Sequence, residues 1–118
     1  MLPRTRRAPA PLTVTQLTLL LRETLATEFT DVLVAGEISN LRPAGSGHLY
    51  FTLKDDSSHL RCVMFRSAVQ VLVFTPADGQ RVVVRGQITL YPARGDLQLV
   101  VDRLEPLGRG ALQLAFEQ

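Results

Sequence analysis

Between Gly45 and Arg66 the chain reads GSGHLYFTLKDDSSHLRCVMFR, and this stretch permits few folds. Side chains alternate faces along a β-strand. Leu49, Phe51 and Leu53 therefore share one face of a first strand, while His48, Tyr50, Thr52 and Lys54 share the other. After a turn at Asp55-Asp56-Ser57-Ser58, Leu60, Cys62 and Met64 oppose His59, Arg61, Val63 and Phe65. With Lys54 facing His59, Thr52 meets Arg61, Tyr50 meets Val63 and His48 meets Phe65. That register brings both apolar sets onto one face, which a one-residue slip would destroy. The second face collects rings, imidazoles and cations. Such a surface suits single-stranded nucleic acid, whose bases stack on rings while cations meet phosphates.

The rest of the chain supplies a matching inventory. Thr13 and Gln16 have the spacing of a capping box. Val14, Leu17, Leu20, Leu21 and Leu25 recur at three- and four-residue steps, which predicts a helix over Thr13–Glu28 with one apolar face. Val32 to Asn40 alternates as a strand, with Gly36 marking a bend or bulge. Arg42 to Gly47 is a loop punctuated by Pro43, Gly45 and Gly47. Ser67 to Phe74 fits a short helix or an irregular crossover, because its β-branched valines disfavour helix. A turn at Pro76–Gly79 leads into a strong strand, Arg81–Tyr91. There Val82, Val84, Gly86, Ile88 and Leu90 point inward, and Arg81, Val83, Arg85, Gln87, Thr89 and Tyr91 point outward. Pro92–Gly95 turns the chain back into Leu97–Leu104, with Leu97, Leu99 and Val101 alternating against Gln98, Val100 and Asp102. Gly108-Arg109-Gly110 ends the strands, and Ala111–Gln118 reads as the start of another helix.

Five strands after a helix, with a crossover between the third and fourth, predict a mainly β Greek-key barrel of the OB-fold type. Closure leaves no exposed sheet edge. The expected core is Leu49, Phe51, Leu53, Leu60, Cys62, Met64, Val82, Val84 and Ile88. A length of 118 residues fits one domain, and 46% hydrophobic residues can build its core without staples. The single cysteine excludes an internal disulfide and fits a reducing compartment, so a cytoplasmic location is expected. No apolar stretch has the length of a membrane span. Residues 1–12 carry Arg4, Arg6, Arg7 and three prolines, and read as a flexible basic tail; 13–107 form the helix and barrel; 108–118 begin a linker helix.

Four segments are similar to a known family: GEISNLRPAGSGHLYFTLKD, LRCVMFR, VRGQITLYPARGDLQLVV and GALQLAFEQ. In this order they closely resemble the N-terminal domain of the large subunit of bacterial exodeoxyribonuclease VII, over nearly everything from Leu12 onward. The resemblance implies an OB-fold that binds single-stranded DNA. It also implies a catalytic domain beyond the AFEQ motif and a helical region that carries small subunits. The family's enzyme degrades single-stranded DNA from both ends to oligonucleotides without requiring a divalent metal. The Arg- and Pro-rich leader has no clear counterpart in that pattern.

The candidate nucleic-acid-binding residues are His48, Tyr50, Lys54, Arg61, Phe65, Arg66, Arg85 and Arg94. Tyr50 and Phe65 are stacking platforms, or else ordinary cross-strand packing. His48 stacks or donates to phosphate, or is a polar surface residue. The four arginines form a backbone track as a set, whereas singly each is a solvated charge. Arg66 follows the outward Phe65, so its use requires a bulge or the strand end. Gly45-Ser46-Gly47 opens a strand, not a helix, and is no nucleotide P-loop. His59 and Cys62 face opposite ways and cannot share an ion, and adjacent Asp55 and Asp56 suit turn chemistry. No cofactor, metal or catalytic constellation is expected, so the chain reads as a binding module. Its rivals are an RNA-binding barrel such as a tRNA anticodon-binding domain, and a structural barrel that only assembles subunits.

Overall fold

A computed structural model describes residues 10–91 and 95–108. Helix α1 (Val14–Glu28) precedes strands β1 (Val32–Pro43), β2 (Leu49–Lys54) and β3 (His59–Met64). One helical turn, α2 (Arg66–Val69), then leads to β4 (Arg81–Tyr91) and β5 (Asp96–Pro106). The strands close into a barrel in the order β1-β2-β3-β5-β4. β3 and β5 run parallel, and the other neighbours are antiparallel. The β2–β3 register is the one the sequence predicts: Lys54 pairs with His59, Thr52 with Arg61 and Tyr50 with Val63.

β1 serves two neighbours. Its first half pairs with β4 from Val32 to Glu37, and its second half pairs with β2 from Glu37 to Pro43. Gly36 sits at the transfer point, where a Cβ would lie 2.8 Å from Leu53 Cγ and 2.9 Å from the Lys54 carbonyl oxygen. At Gly86 the register between β4 and β5 shifts, and any Cβ would collide with the Val100 carbonyl oxygen. These two glycines let strands approach more closely than any side chain permits.

The core joins Ile38, Leu49, Phe51, Leu53, Cys62, Met64, Val82, Val84, Leu99, Val101 and Leu104. Leu60 and Ile88, expected within it, are only partly buried against its edge. Leu97, expected to point inward, remains exposed beside the β4–β5 connection, opposite Leu90. Ile38 and Leu104 extend the core beyond the predicted set.

α1 carries the predicted capping box: the Gln16 amide N–H donates to Thr13 Oγ1 at 3.0 Å, and the Thr13 N–H donates to Gln16 Oε1 at 2.8 Å. The helix packs against β4 on the outside of the barrel. Its C-terminal end is tied down where the Ile88 N–H donates to the Phe29 carbonyl at 3.0 Å. The predicted apolar face is not buried: no residue of α1 is, and Val14 is 82% exposed. Contact with one strand covers too little of a helix to hide a whole stripe. Among the described residues no helix is long and apolar enough to cross a membrane. Arg94 and the segment Ala111–Gln118 lie outside the described residues.

Candidate nucleic-acid interface

Strand registers set the outer face of the barrel. Tyr50 pairs with Arg42 on β1 and with Val63 on β3, and Val63 pairs with Val100 on β5. The next row, two residues along, runs Ser39, Thr52, Arg61, Gln98 and Thr89. Tyr91 and Asp96 pair in the row after that. Outward side chains from all five strands therefore contribute to one surface.

That surface holds a cleft of about 650 Å³, of a size suited to a small ligand or part of a strand. Val63 is part of its lining and is 2% exposed although it points away from the core. Tyr50, Phe65 and Tyr91 also line the cleft, with Phe65 46% and Tyr91 49% exposed. Arg42 and Arg61 supply the cations, and Asn40, Thr52 and Gln98 supply neutral polar groups. Apolar lining, exposed rings and guanidinium groups make a surface on which bases stack while phosphates are neutralised.

His48 stands outside the cleft lining, against Phe65. Its ring meets Phe65 edge-on, with centroids 5.1 Å apart and an interplanar angle of 76°, a favoured arrangement for rings. Its Nδ1 accepts the Arg66 backbone N–H at 3.0 Å. His48 thus fixes the point where β3 ends and α2 begins. That strand end resolves the parity of Arg66, which is exposed at the first position of α2. Lys54 is exposed at the end of β2, between Glu37 and His59, outside the cleft lining.

Of the predicted set, Tyr50, Arg61 and Phe65 meet in the cleft and His48 braces it. Arg85 is not brought there. Its Nε and Nη2 donate to Asp31 Oδ1 and Oδ2, each at 2.8 Å, on the β1–β4 side of the barrel. These bonds hold the Asp31 carboxyl below its ordinary range and raise the Arg85 guanidinium. Asp55 is likewise engaged: it accepts the Ser57 and Ser58 N–H groups at 3.0 and 2.9 Å, which lowers its pKa and makes it a turn residue. Cys62 is pushed up to about 12 by burial, a neutral thiol beneath the sheet.

Sequence reasoning missed Tyr91, Asn40 and Gln98 as parts of the cleft, and it put Arg42 on a rim loop and not on a strand. β1 was expected to end at Asn40 but continues to Pro43 through a bulge. Asn40 adopts φ 53° there, and the Leu41 N–H donates to Asp78 Oδ1 at 2.9 Å. The extra residue turns Arg42 to the same face as Tyr50. An asparagine, tolerant of left-handed backbone, was the available signal.

Residues 12–105 match the family of the OB-fold nucleic acid binding domain. The chain is 60% identical over 97 residues to the exodeoxyribonuclease 7 large subunit of Koribacter versatilis, covering 82% of the chain and 21% of that protein. It is 56% identical over 107 residues to that of Geobacter sulfurreducens, covering 91% and 24%. With that of Klebsiella pneumoniae it shares 47% over 112 residues, covering 95% and 24%. The chain thus spans about a quarter of the length of the curated relatives it matches. Among solved structures, asparaginyl-tRNA synthetase from Pyrococcus horikoshii shares the fold, with a TM-score of 0.54 at 15% identity over 70% of the chain and 21% of that protein. The chain therefore belongs to the OB-fold nucleic acid binding domain family, in the form found in exodeoxyribonuclease 7 large subunits.

Proposed function

We propose that this chain is a single-stranded DNA-binding module of an exodeoxyribonuclease VII large subunit, and that it captures substrate for a nuclease centre carried elsewhere in that longer subunit. The observation that carries this reading is the cleft over Val63, where Tyr50, Phe65 and Arg61 converge. Tyr50 and Phe65 stack on bases, Arg61 and Arg42 meet phosphates, and Lys54 and Arg66 extend the positive edge. His48 holds Phe65 in place. Residues 13–107 are the binding unit, and 108–118 lead toward the catalytic region. Small subunits assemble on the rest of the large subunit, and the complete enzyme reduces single strands to oligonucleotides in the cytoplasm.

The chain itself cuts nothing in this reading. Hydrolysis of a phosphodiester needs an activated nucleophile and groups that stabilise developing charge. Asp31 is held by Arg85 and Asp55 by the turn it closes, which leaves neither poised as a base. The test is an equilibrium titration with matched single-stranded and duplex DNA over a range of salt, followed by inspection of the labelled strands. Single strands should bind better, covering about 4–16 nucleotides. With about three phosphates contacted, log K should fall against log salt with a slope of about −2. Strands should remain intact with or without magnesium. Equal affinity for duplex, salt-independent binding, or cleavage abolished by a substitution within this chain would each overturn the proposal.

A further inference from the structure

One group in the cleft does not suit a phosphate backbone. Asp96 contributes to its lining, and its Oδ2 lies 3.9 Å from Arg61 Nη1. Both side chains keep contact with water, at 62% exposure for Arg61 and 44% for Asp96. The register fixes their surroundings: Arg61 stands between Thr52 and Gln98, and Asp96 is paired with the half-exposed Tyr91.

We propose that Asp96 is the specificity-determining residue of this cleft and that it favours guanine among the four bases, an inference that rests on the single-strand reading above. An ionised carboxylate only accepts hydrogen bonds. The DNA backbone offers only acceptors and negative charge, so a strand lying across Asp96 is repelled unless a base edge meets it. In a single strand the Watson–Crick edges are open to such contacts. Adenine, cytosine and thymine each present one donor group on that edge. Guanine presents two side by side, N1–H and the N2 amino group, which match the two oxygens of a carboxylate. Tyr91, the cross-strand partner of Asp96, offers the same base a ring to stack on. Engaging guanine also draws Asp96 from Arg61, whose guanidinium then turns to the neighbouring phosphate. Attraction at the edge and release of the cation act together, and a thymine in the same place obtains neither in full.

The test uses the chain with labelled oligothymidine carrying one central guanine, one central inosine, or neither, followed by fluorescence anisotropy. Inosine keeps N1–H and lacks the N2 amino group. The parent should bind the guanine oligomer about fivefold more tightly than all-thymine, the low end of what a bidentate base contact contributes to discrimination. Inosine should fall back toward thymine. D96N, checked for folding by circular dichroism, should lose the preference. It should also bind all-thymine more tightly, with a steeper salt dependence, because the Asp96 carboxylate then no longer opposes Arg61. A parent without guanine preference, or a D96N variant that retains it, overturns the inference while leaving single-strand binding intact. Failure to bind any of the oligomers overturns the reading of the face itself, and this inference with it.

Discussion

Arg85 grips Asp31 through two parallel hydrogen bonds, Nε to Oδ1 and Nη2 to Oδ2, each 2.8 Å long. This fork-to-fork geometry is the strong form of a carboxylate–guanidinium contact. It joins the residue just before β1 to the middle of β4, and it occupies a cation that sequence alone assigned to DNA. Arg85→Ala should therefore leave single-strand affinity near that of the parent. It should also return the Asp31 carboxyl to the ordinary carboxylate range. A carboxyl carbon NMR titration of both proteins reads the second effect, and anisotropy the first. The sign follows from linkage. Asp31 titrates lower in the folded state, so the contact stabilises fully above the unfolded value of about 3.9. Its contribution disappears as pH falls through the depressed folded value. Arg85→Ala should abolish that part of the acid sensitivity.

The rings of the cleft should carry much of the binding free energy. Tyr50→Ala and Phe65→Ala should each cost about 1–3 kcal/mol in affinity if each ring stacks on one base. Tyr50→Phe should retain most of it, since the ring is kept. Arg61→Ala and Arg42→Ala should each flatten the salt slope by about 0.7, the value of one phosphate contact on a single strand. Arg42 is the sharper test, because only the bulge at Asn40 brings it beside Tyr50. Titrations at several salt concentrations measure all five.

Core and close-approach positions should govern stability independently of binding. Phe51 is 3% exposed within the main cluster, and Phe51→Ala should destabilise by about 3–5 kcal/mol. Gly86→Ala forces a methyl group against the Val100 carbonyl, a backbone atom that moves only with its strand. It should cost at least about 1–3 kcal/mol, the usual range for overpacking. Urea denaturation followed by circular dichroism checks both. A Gly86→Ala protein as stable as the parent would show that β4 and β5 can separate locally without penalty.

Cys62 should be inert in the folded protein. Its thiol is 2% exposed and pushed up to about 12, so little thiolate exists near neutral pH. Alkylation at pH 8 should be slow and should accelerate with denaturant in step with unfolding. The linkage sign is opposite to that of Asp31. The folded state holds its proton through the interval from about 8.5, the unfolded value, to about 12, so stability should decline as pH rises across it.

Much of this fold was legible because side-chain alternation is a strong constraint. The hairpin register from Leu49 to Met64 and the bounds of β4 follow from parity alone, and the cap of α1 follows from Thr13 and Gln16. Parity fails where the backbone leaves its regular path. The bulge at Asn40 adds one residue to β1, so Arg42 belongs to the sheet and not to a loop. Pairings across the barrel are also hidden, because nothing local reveals that Asp31 would meet Arg85, fifty-four residues away. The burial of Val63 is a third case: it lies on the outer face between Tyr50 and Val100 and is nevertheless 2% exposed, which parity alone does not foretell. The apolar stripe of α1 was read correctly as a helix signal, yet periodicity does not say what covers a helix.

The most direct measurement is a backbone amide NMR titration of the chain with a short oligothymidine at low salt. Shift changes should concentrate on Arg42, Tyr50, Arg61, Val63, Phe65, Tyr91 and Gln98, while α1 and the Asp31–Arg85 pair stay silent. Changes centred on α1 and Arg85, with the residues around Val63 unmoved, would contradict the assignment of the binding face.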